Sequence, residues 1–119
     1  MYALRNKVQL IGRIGMAPDI RITPQGKKWA RFSLATHETY RNVQGEKVTE
    51  TQWHNLVAWG KLAELTEKYL VKGKEVAIEG KLVNRSYEDK DGTRRYITEI
   101  LVSEILFIGA QRPAAAEAA

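Results

Sequence analysis

The sequence predicts an all-β fold, a five-stranded Greek-key barrel with one α-helix between the third and fourth strands. Two observations carry this prediction. Hydrophobic residues alternate with period two through most of the 119-residue chain, which is typical of strands with one buried face. A single stretch near the middle has helical spacing instead, so predicted strands outnumber predicted helices five to one.

The first three strands are predicted in the N-terminal half. Residues 7–15 alternate, with Val8, Leu10, Gly12 and Ile14 on the inner face, and residues 18–22 continue this strand after a break at 15–17. Residues 23–28 carry Pro and Gly and predict a hairpin turn before a second strand at 29–36. Residues 40–48 are predicted as a loop or the tip of a long hairpin, and the third strand covers 51–59.

The helix is predicted over residues 60–73, where Leu62, Leu65 and Tyr69 follow helical spacing and Gly73 is a suitable stop. A long hairpin follows, with its turn at Asp91–Gly92 and its return strand at about 94–108. Glycines inside strands, Gly12 and Gly80, fit the bends that a small barrel needs. This order of elements is that of the OB-fold. Residues 1–109 are therefore predicted to form one domain, and the low-complexity segment 110–119 to be disordered.

Composition limits the classes of function. The net charge of +5 and the pI near 9.6 favour an anionic partner, namely nucleic acid, an anionic membrane surface or acidic protein, although a basic balance also serves solubility alone. The absence of cysteine excludes disulfides, a thiol nucleophile and Cys-ligated metal. Neither a membrane-length apolar run nor a signal-peptide pattern occurs, so we expect a cytoplasmic protein with no membrane partner.

Alternation places several aromatic side chains outward, where a soluble domain would normally expose polar groups. They are Trp29, Trp53, Trp59 and Tyr87, with Tyr40 just beyond the second strand. Basic residues accompany them on the same or neighbouring strands and loops: Lys7, Arg21, Arg31, Arg41, Lys61, Lys72, Lys81, Arg85 and Arg95. Bases stack on exposed aromatic rings and phosphates pair with cations, so this pattern predicts binding of an unpaired nucleic-acid strand with little sequence preference.

Alternatives exist for individual aromatics. One outward tryptophan in a β-protein often packs under a loop or at an oligomer contact, and Trp29, which starts its strand, could pack under the last hairpin. We interpret Phe32, Tyr69 and Phe107 as core residues, whereas Tyr96 is ambiguous.

No pattern indicates catalysis. His37 and His54 lack partners at ligand spacing, so neither a metal site nor another cofactor is expected. No Walker-type phosphate loop or nucleophile elbow occurs. Glu38 and Glu50 are better interpreted as solvated charges than as an acid–base pair. The sequence therefore predicts a binding protein that is not an enzyme.

Several ordered segments together resemble the bacterial single-stranded DNA-binding protein family. They are "NKVQLIGRIG", "PDIR", "FSLAT", "TQWHNLVAWGKLAE", "YLVKGKEVAIEGKL" and "DGTRRYITEI", which span about residues 6–109. The resemblance implies an OB-fold that assembles as a homotetramer and binds single-stranded DNA in replication, recombination and repair, near the nucleoid. It also implies base stacking by Tyr40, Trp53, Trp59 and Tyr87, and places His54 at a subunit interface.

The chain departs from the family pattern at two points. Trp29 stands where family members usually have a smaller residue, so it either adds a stacking platform or fills space. The chain ends in "RPAAAEAA" without the acidic tip through which family members recruit replication and repair proteins, so partner binding by such a tip is expected only if one lies beyond this sequence. Two alternatives stay open, a dimeric primosomal-type OB protein that acts in protein interaction and an RNA-binding OB domain.

Overall fold

The computed structural model describes the backbone of residues 2–108, with side chains from Leu4 onward. Its elements, in chain order, are a 3₁₀ turn at Tyr2–Arg5, β1 Val8–Ile14, β2 Asp19–Ile22, β3 Lys28–Arg41, β4 Lys47–Trp59, α1 Lys61–Tyr69, β5 Glu75–Glu88 and β6 Arg94–Phe107. The segment predicted to be disordered and the domain boundary at residue 109 lie outside the described residues.

The five long strands close into a barrel. Neighbours follow the order β1, β5, β6, β4, β3, and β3 returns to β1 through the pairs Arg13–Ala35 and Ile14–Leu34. All pairings are antiparallel except β4–β6. The predicted five-stranded barrel with one helix is confirmed. Residues 19–22 continue the first strand after a break, as predicted, because β1 and β2 pair in succession with the same edge of β3.

The inward half of the alternation fills the barrel. Phe32, Leu34, Leu56 and Ile78 are almost completely buried, as the sequence pattern predicts. Each such side chain contributes about 1.5–3 kcal/mol by leaving water. The complementary outward half of β3 and β4 is thus left to face the surroundings, and this face carries the tryptophans.

Two strand glycines permit close approaches of the backbone. A Cβ on Gly12 would overlap the carbonyl oxygen of Ala35, and a Cβ on Gly80 would overlap that of Leu101. Gly80 also lies at the register shift between β5 and β6. The prediction that these glycines serve barrel closure is consistent with both contacts, since only a residue without a side chain fits there.

The helix is shorter than predicted. It ends at Tyr69 because Leu70 adopts an extended conformation and turns its side chain into the core. The helix buries Ala63 and Thr66, so Tyr69 stays 55% exposed and only its edge meets the ring of Phe107, at 5.9 Å between centroids. The interpretation of Tyr69 as a core residue is therefore wrong, whereas Phe32 is buried and Phe107 packs against the core.

Two hairpins extend from the barrel as ribbons. The region predicted as a loop or a hairpin tip is a tip, because β3 and β4 remain paired out to Arg41 and Lys47. We call residues 36–52 the first arm and residues 83–99, at the end of the β5–β6 hairpin, the second arm. Gly45 and Gly92, with φ of 81° and 79°, occupy equivalent places in the two tips, where the left-handed region favours glycine.

Candidate nucleic-acid interface

The outward face of the barrel is built from residues that lie directly opposite one another on adjacent strands. Arg21, Trp29 and Trp59 form one such row across β2, β3 and β4. Arg31 starts a second row, which continues through Val57 on β4, Leu101 on β6 and Lys81 on β5. Because paired residues project to the same side of a sheet, the structure brings these predicted aromatic and basic residues onto one surface.

A groove of about 360 Å³ lies in this surface. We call it the tryptophan groove, and its lining residues are Trp29, Arg31, Val57, Trp59, Val83, Arg85, Glu99 and Leu101. The two tryptophans and the two arginines among them were expected at the site. The aliphatic residues and Glu99 were not, and they give the groove an apolar floor with one buried acid.

Trp29 contacts two other side chains of the groove. Its ring stacks on that of Trp59 with 5.8 Å between centroids and 26° between planes. The guanidinium carbon of Arg31 lies 5.8 Å from the Trp29 centroid, within the range of a cation–π contact. Trp29 therefore packs against Trp59 and Arg31 at the groove, and Trp59 is the more exposed ring of the stacked pair.

Glu99 anchors the cationic side of the groove. It is 5% exposed and accepts two hydrogen bonds of 2.9 Å from Nε and Nη2 of Arg85, while Nη2 of Arg31 lies 3.7 Å from its second oxygen. The hydrogen bonds from Arg85 lower the pKa of Glu99, and the same pair raises the pKa of Arg85. Glu99 thus remains ionised and fixes the positions of two guanidinium groups.

Trp53 is the most exposed tryptophan, with 63% of its surface accessible. It pairs across the sheet with Ala35 and lies over Gly15, where an added Cβ would overlap the indole ring and come within 2.7 Å of Ser33 Oγ. Gly15 therefore provides the space that the indole ring of Trp53 occupies just past the end of β1. Sequence reasoning treated Gly15 only as part of a strand break, and nothing in its local pattern indicated this contact.

Tyr40 lies on the other side of the first arm from Trp53. Alternation places it with Glu38 and Glu50, which face each other across the two strands, and its hydroxyl donates to Glu50 at 3.3 Å. The negative charge of Glu50 raises the pKa of this hydroxyl. Arg41 and Lys47 pair with each other on the opposite side, which is shared with Trp53. The first arm thus has one basic side and one acidic side.

The second arm carries Tyr87 opposite Arg95. Tyr87 is about half exposed, and Arg95 donates a 2.8 Å hydrogen bond from Nε to Asp89. This bond is the main reason that the pKa of Asp89 is lowered. Tyr96 lies on the opposite side of the arm, paired with Ser86, and is largely exposed.

The remaining predicted phosphate ligands are spread around the barrel. Lys7 pairs with Glu79 at 3.6 Å and Arg21 with Asp19 at 3.1 Å. Arg41 donates to the carbonyl oxygen of Gly45 at 2.8 Å. Within residues 4–108, four predicted ligands form no ion pair: Arg41, Lys61 beside Trp59, Lys72 in the turn after α1, and Lys81 on β5.

His54 is half-buried, projects to the inner side of β4 as predicted, and its Nε2 lies 3.0 Å from Thr36 Oγ1. No cluster of three or more potential metal ligands occurs among the described residues. The same part of the chain contains no helix that is both long and apolar enough to cross a bilayer.

Comparisons with known proteins agree with this geometry. A model described as the single-strand binding protein family matches residues 5–108. The chain is 44% identical over 107 residues to single-stranded DNA-binding protein 1 of Chlorobaculum tepidum, a match that covers 89% of this chain and 66% of that protein. It is 42% identical over 104 residues to the single-stranded DNA-binding protein of Neisseria meningitidis serogroup A, covering 87% and 60% respectively.

Among solved structures, the fold matches that of a Plasmodium falciparum SSB in complex with ssDNA. The TM-score is 0.80 at 38% sequence identity, and the match covers 87% of this chain and 95% of that one. The chain spans slightly less than two thirds of the length of the two bacterial relatives.

Proposed function

The chain belongs to the single-strand binding protein family, and we propose that it binds and protects single-stranded DNA without catalysing a reaction. The observation that carries the proposal is the outward face itself, on which Trp29, Trp53 and Trp59 lie beside arginines and lysines in register across the barrel. Stacking supplies about 1–3 kcal/mol per base, and phosphate contacts supply the electrostatic part of the affinity.

The aromatics have different roles in this proposal. Trp53, Trp59 and Tyr87 stack bases directly, since each is exposed on the outward surface. Trp29 supports Trp59 from behind. Tyr40 is retained as a stacking residue at the end of the first arm, with a smaller contribution because Glu38 and Glu50 beside it repel phosphate.

The cations also differ in what they offer to phosphate. Those without an ion-pair partner in residues 4–108, Lys61, Lys72 and Lys81, together with Arg41, bind phosphate at the least cost. Lys7, Arg21, Arg31, Arg85 and Arg95 must share their charge with a carboxylate of the protein. The proposal places the protein in the cytoplasm at exposed DNA strands during replication, recombination and repair.

A titration with oligo-dT, followed by tryptophan fluorescence at several salt concentrations, tests the proposal. Stacking quenches the fluorescence, and the affinity falls with salt at a log–log slope of about −0.7 per phosphate neutralised. Trp53→Ala and Trp59→Ala each weaken binding, whereas Tyr69→Ala, which removes an exposed ring on the helix, serves as the control. No quenching by oligo-dT, or equal binding of matched duplex, would contradict the proposal, and equal affinity for matched RNA would favour the RNA-binding alternative.

Assembly as a homotetramer belongs to the same proposal. Ile11, Ala77 and Leu106 form a row across β1, β5 and β6, and both Ile11 and Leu106 are more than half exposed in the single chain. An apolar row on a sheet surface favours contact with another copy, and His54 is proposed at a subunit interface as well. Light scattering gives the solution mass: a tetramer supports the proposal, while a dimer would favour the primosomal-type alternative.

A further inference from the structure

The polar side-chain groups that line the tryptophan groove are hydrogen-bond donors, with one exception. Arg31 and Arg85 can only donate hydrogen bonds, and the indole N–H groups of Trp29 and Trp59 are likewise donors only. The one acceptor among the lining side chains is Glu99, which is buried and already accepts both hydrogen bonds from Arg85. A base that enters the groove therefore meets an apolar floor, aromatic rings and a surplus of donors.

Arg31 is the donor best placed to meet such a base. Arg85 uses Nε and Nη2 in hydrogen bonds to Glu99, whereas Nη2 of Arg31 lies 3.7 Å from Glu99, too far for a hydrogen bond. Its guanidinium also lies 5.8 Å from the ring centroid of Trp29, and its side chain is 46% exposed. The remaining N–H groups of Arg31 are thus oriented beside an aromatic stacking surface and are accessible from the groove.

This arrangement distinguishes guanine from adenine and thymine by chemistry. Guanine presents two adjacent acceptors, O6 and N7, that match the fork of an arginine, while adenine presents an amino donor beside its acceptors that would oppose the donors of the groove. Unpaired cytosine also presents adjacent acceptors, O2 and N3, so the fork does not select against it. Thymine presents single acceptors separated by an N–H and cannot occupy both prongs of the fork. The volume of about 360 Å³ is in the range of pockets that hold small ligands.

We propose that the tryptophan groove is a base-selective subsite that prefers guanine to adenine and thymine, read through O6 and N7 by Arg31 and stacked on the Trp29–Trp59 pair. Glu99 holds Arg31 and Arg85 in place for this purpose. The inference rests on the proposed function and adds a preference at one nucleotide position to binding that is otherwise independent of sequence.

The test uses 15-nucleotide dT oligomers with one central guanine, adenine or 7-deazaguanine, the last of which lacks N7. Competition against labelled oligo-dT is followed by anisotropy, so that binding of dT itself is measured in the same experiment. We expect the guanine oligomer to bind at least about fivefold more tightly than the adenine oligomer, as one bidentate contact provides. The 7-deazaguanine oligomer should lose most of that advantage.

Two variants assign the effect to Arg31. Arg31→Lys keeps the charge but removes the fork, so the guanine-to-adenine affinity ratio should fall to about one. Arg21→Lys, at a neighbouring arginine outside the groove lining, should keep the ratio of the unmodified protein. A ratio of one in the unmodified protein, with dT bound normally, overturns the inference and leaves the proposed function intact. Failure to bind dT overturns the proposed function. If the guanine-to-adenine affinity ratio is the same in Arg31→Lys as in the unmodified protein, Arg31 does not recognise the base. The same conclusion follows if the 7-deazaguanine oligomer binds as tightly as the guanine oligomer.

Discussion

The two arms turn at their tips in the same way but differ in the residue that closes the turn. In the first arm the side-chain oxygen of Asn42 accepts hydrogen bonds from the backbone N–H groups of Gln44 and Glu46, at 3.0 and 2.9 Å. In the second arm Asp89 accepts the equivalent bonds from Asp91 and Thr93, both at 3.0 Å.

This difference of amide against carboxylate changes the chemistry of each arm. Asp89 carries a charge and uses its other oxygen to bind Arg95, whereas neutral Asn42 bonds to Glu46 and leaves Arg41 without a carboxylate partner. The two turns share one hydrogen-bond pattern. The arginine beside the second tip is paired with a carboxylate, whereas the arginine beside the first tip is not. Turn residues on these arms can therefore set how much of the positive charge of each neighbouring arginine remains for phosphate.

The largest expected effect is the loss of stability when the buried carboxylate of the second arm is removed, compared with removal of an exposed carboxylate of the first arm. Glu99→Gln should destabilise the fold by about 1–3 kcal/mol, because it breaks a paired, buried carboxylate, with the loss reduced by the partial exposure of Arg85. Glu50→Gln on the first arm should change stability by less than about 0.5 kcal/mol, since Glu50 is exposed and faces Glu38. Urea unfolding of both variants measures the difference.

Equal effects of the two substitutions would show that the arms do not differ in how they use acidic residues. A stability of Glu99→Gln equal to that of the unmodified protein would contradict the anchoring role of Glu99 in the groove.

The second prediction exchanges the tip residues. Asp89→Asn should preserve the turn, as Asn42 does in the first arm, and should release Arg95 from its carboxylate partner. The released Arg95 should raise the affinity for oligo-dT. It should also steepen the slope of log affinity against log salt concentration by up to about 0.7. The reciprocal change, Asn42→Asp, adds a negative charge beside Arg41 and should have the opposite sign. Titrations at several salt concentrations provide both slopes, and slopes unchanged in both variants would show that neither tip contacts DNA.

The smallest effect is on acid stability. Glu99 and Asp89 both have a lowered pKa in the folded chain, so each stabilises the fold above its unfolded pKa, and this contribution is lost as pH falls through the folded value. Stability should therefore decline below about pH 4.5, the usual value for Glu, and the decline should be shallower in Glu99→Gln than in Glu50→Gln. Thermal unfolding at successive pH values measures it, and identical profiles for the two variants would count against the Arg85–Glu99 bond as its source.

The barrel could be predicted from the sequence because it depends on one simple pattern, the period-two alternation of hydrophobic residues. Period-two alternation determines which side chains of a strand face inward, so Phe32 and Leu56 could be assigned to the core and Trp53 and Trp59 to the outside. The helix end could not be placed in this way, because Leu70 leaves the helix to satisfy packing that only the folded chain reveals.

The types of residue that form the site could be predicted from the sequence, but most of their spatial arrangement could not. The sequence pattern ends the second predicted strand at residue 36, so alternation does not reach Tyr40, and its position on the opposite side from Trp53 is found only in the paired strands. The bond between Arg85 and Glu99 depends on the register of β5 and β6, which the Asp91–Gly92 turn could have indicated. The contact of Gly15 with Trp53 joins distant strands and carries no local signal.

The way in which the barrel closes has a consequence for how the chain folds. The two long hairpins join segments that are near neighbours in sequence, but β4 meets β6 only through Leu56–Ile100 and Val57–Leu101, and β1 meets β3 through only two pairs as well. Pairings between distant segments pay a larger loop-closure entropy than local ones. Each hairpin can therefore form early, whereas the β1–β5 pairing and the two short seams that close the barrel join distant segments and pay the larger entropy.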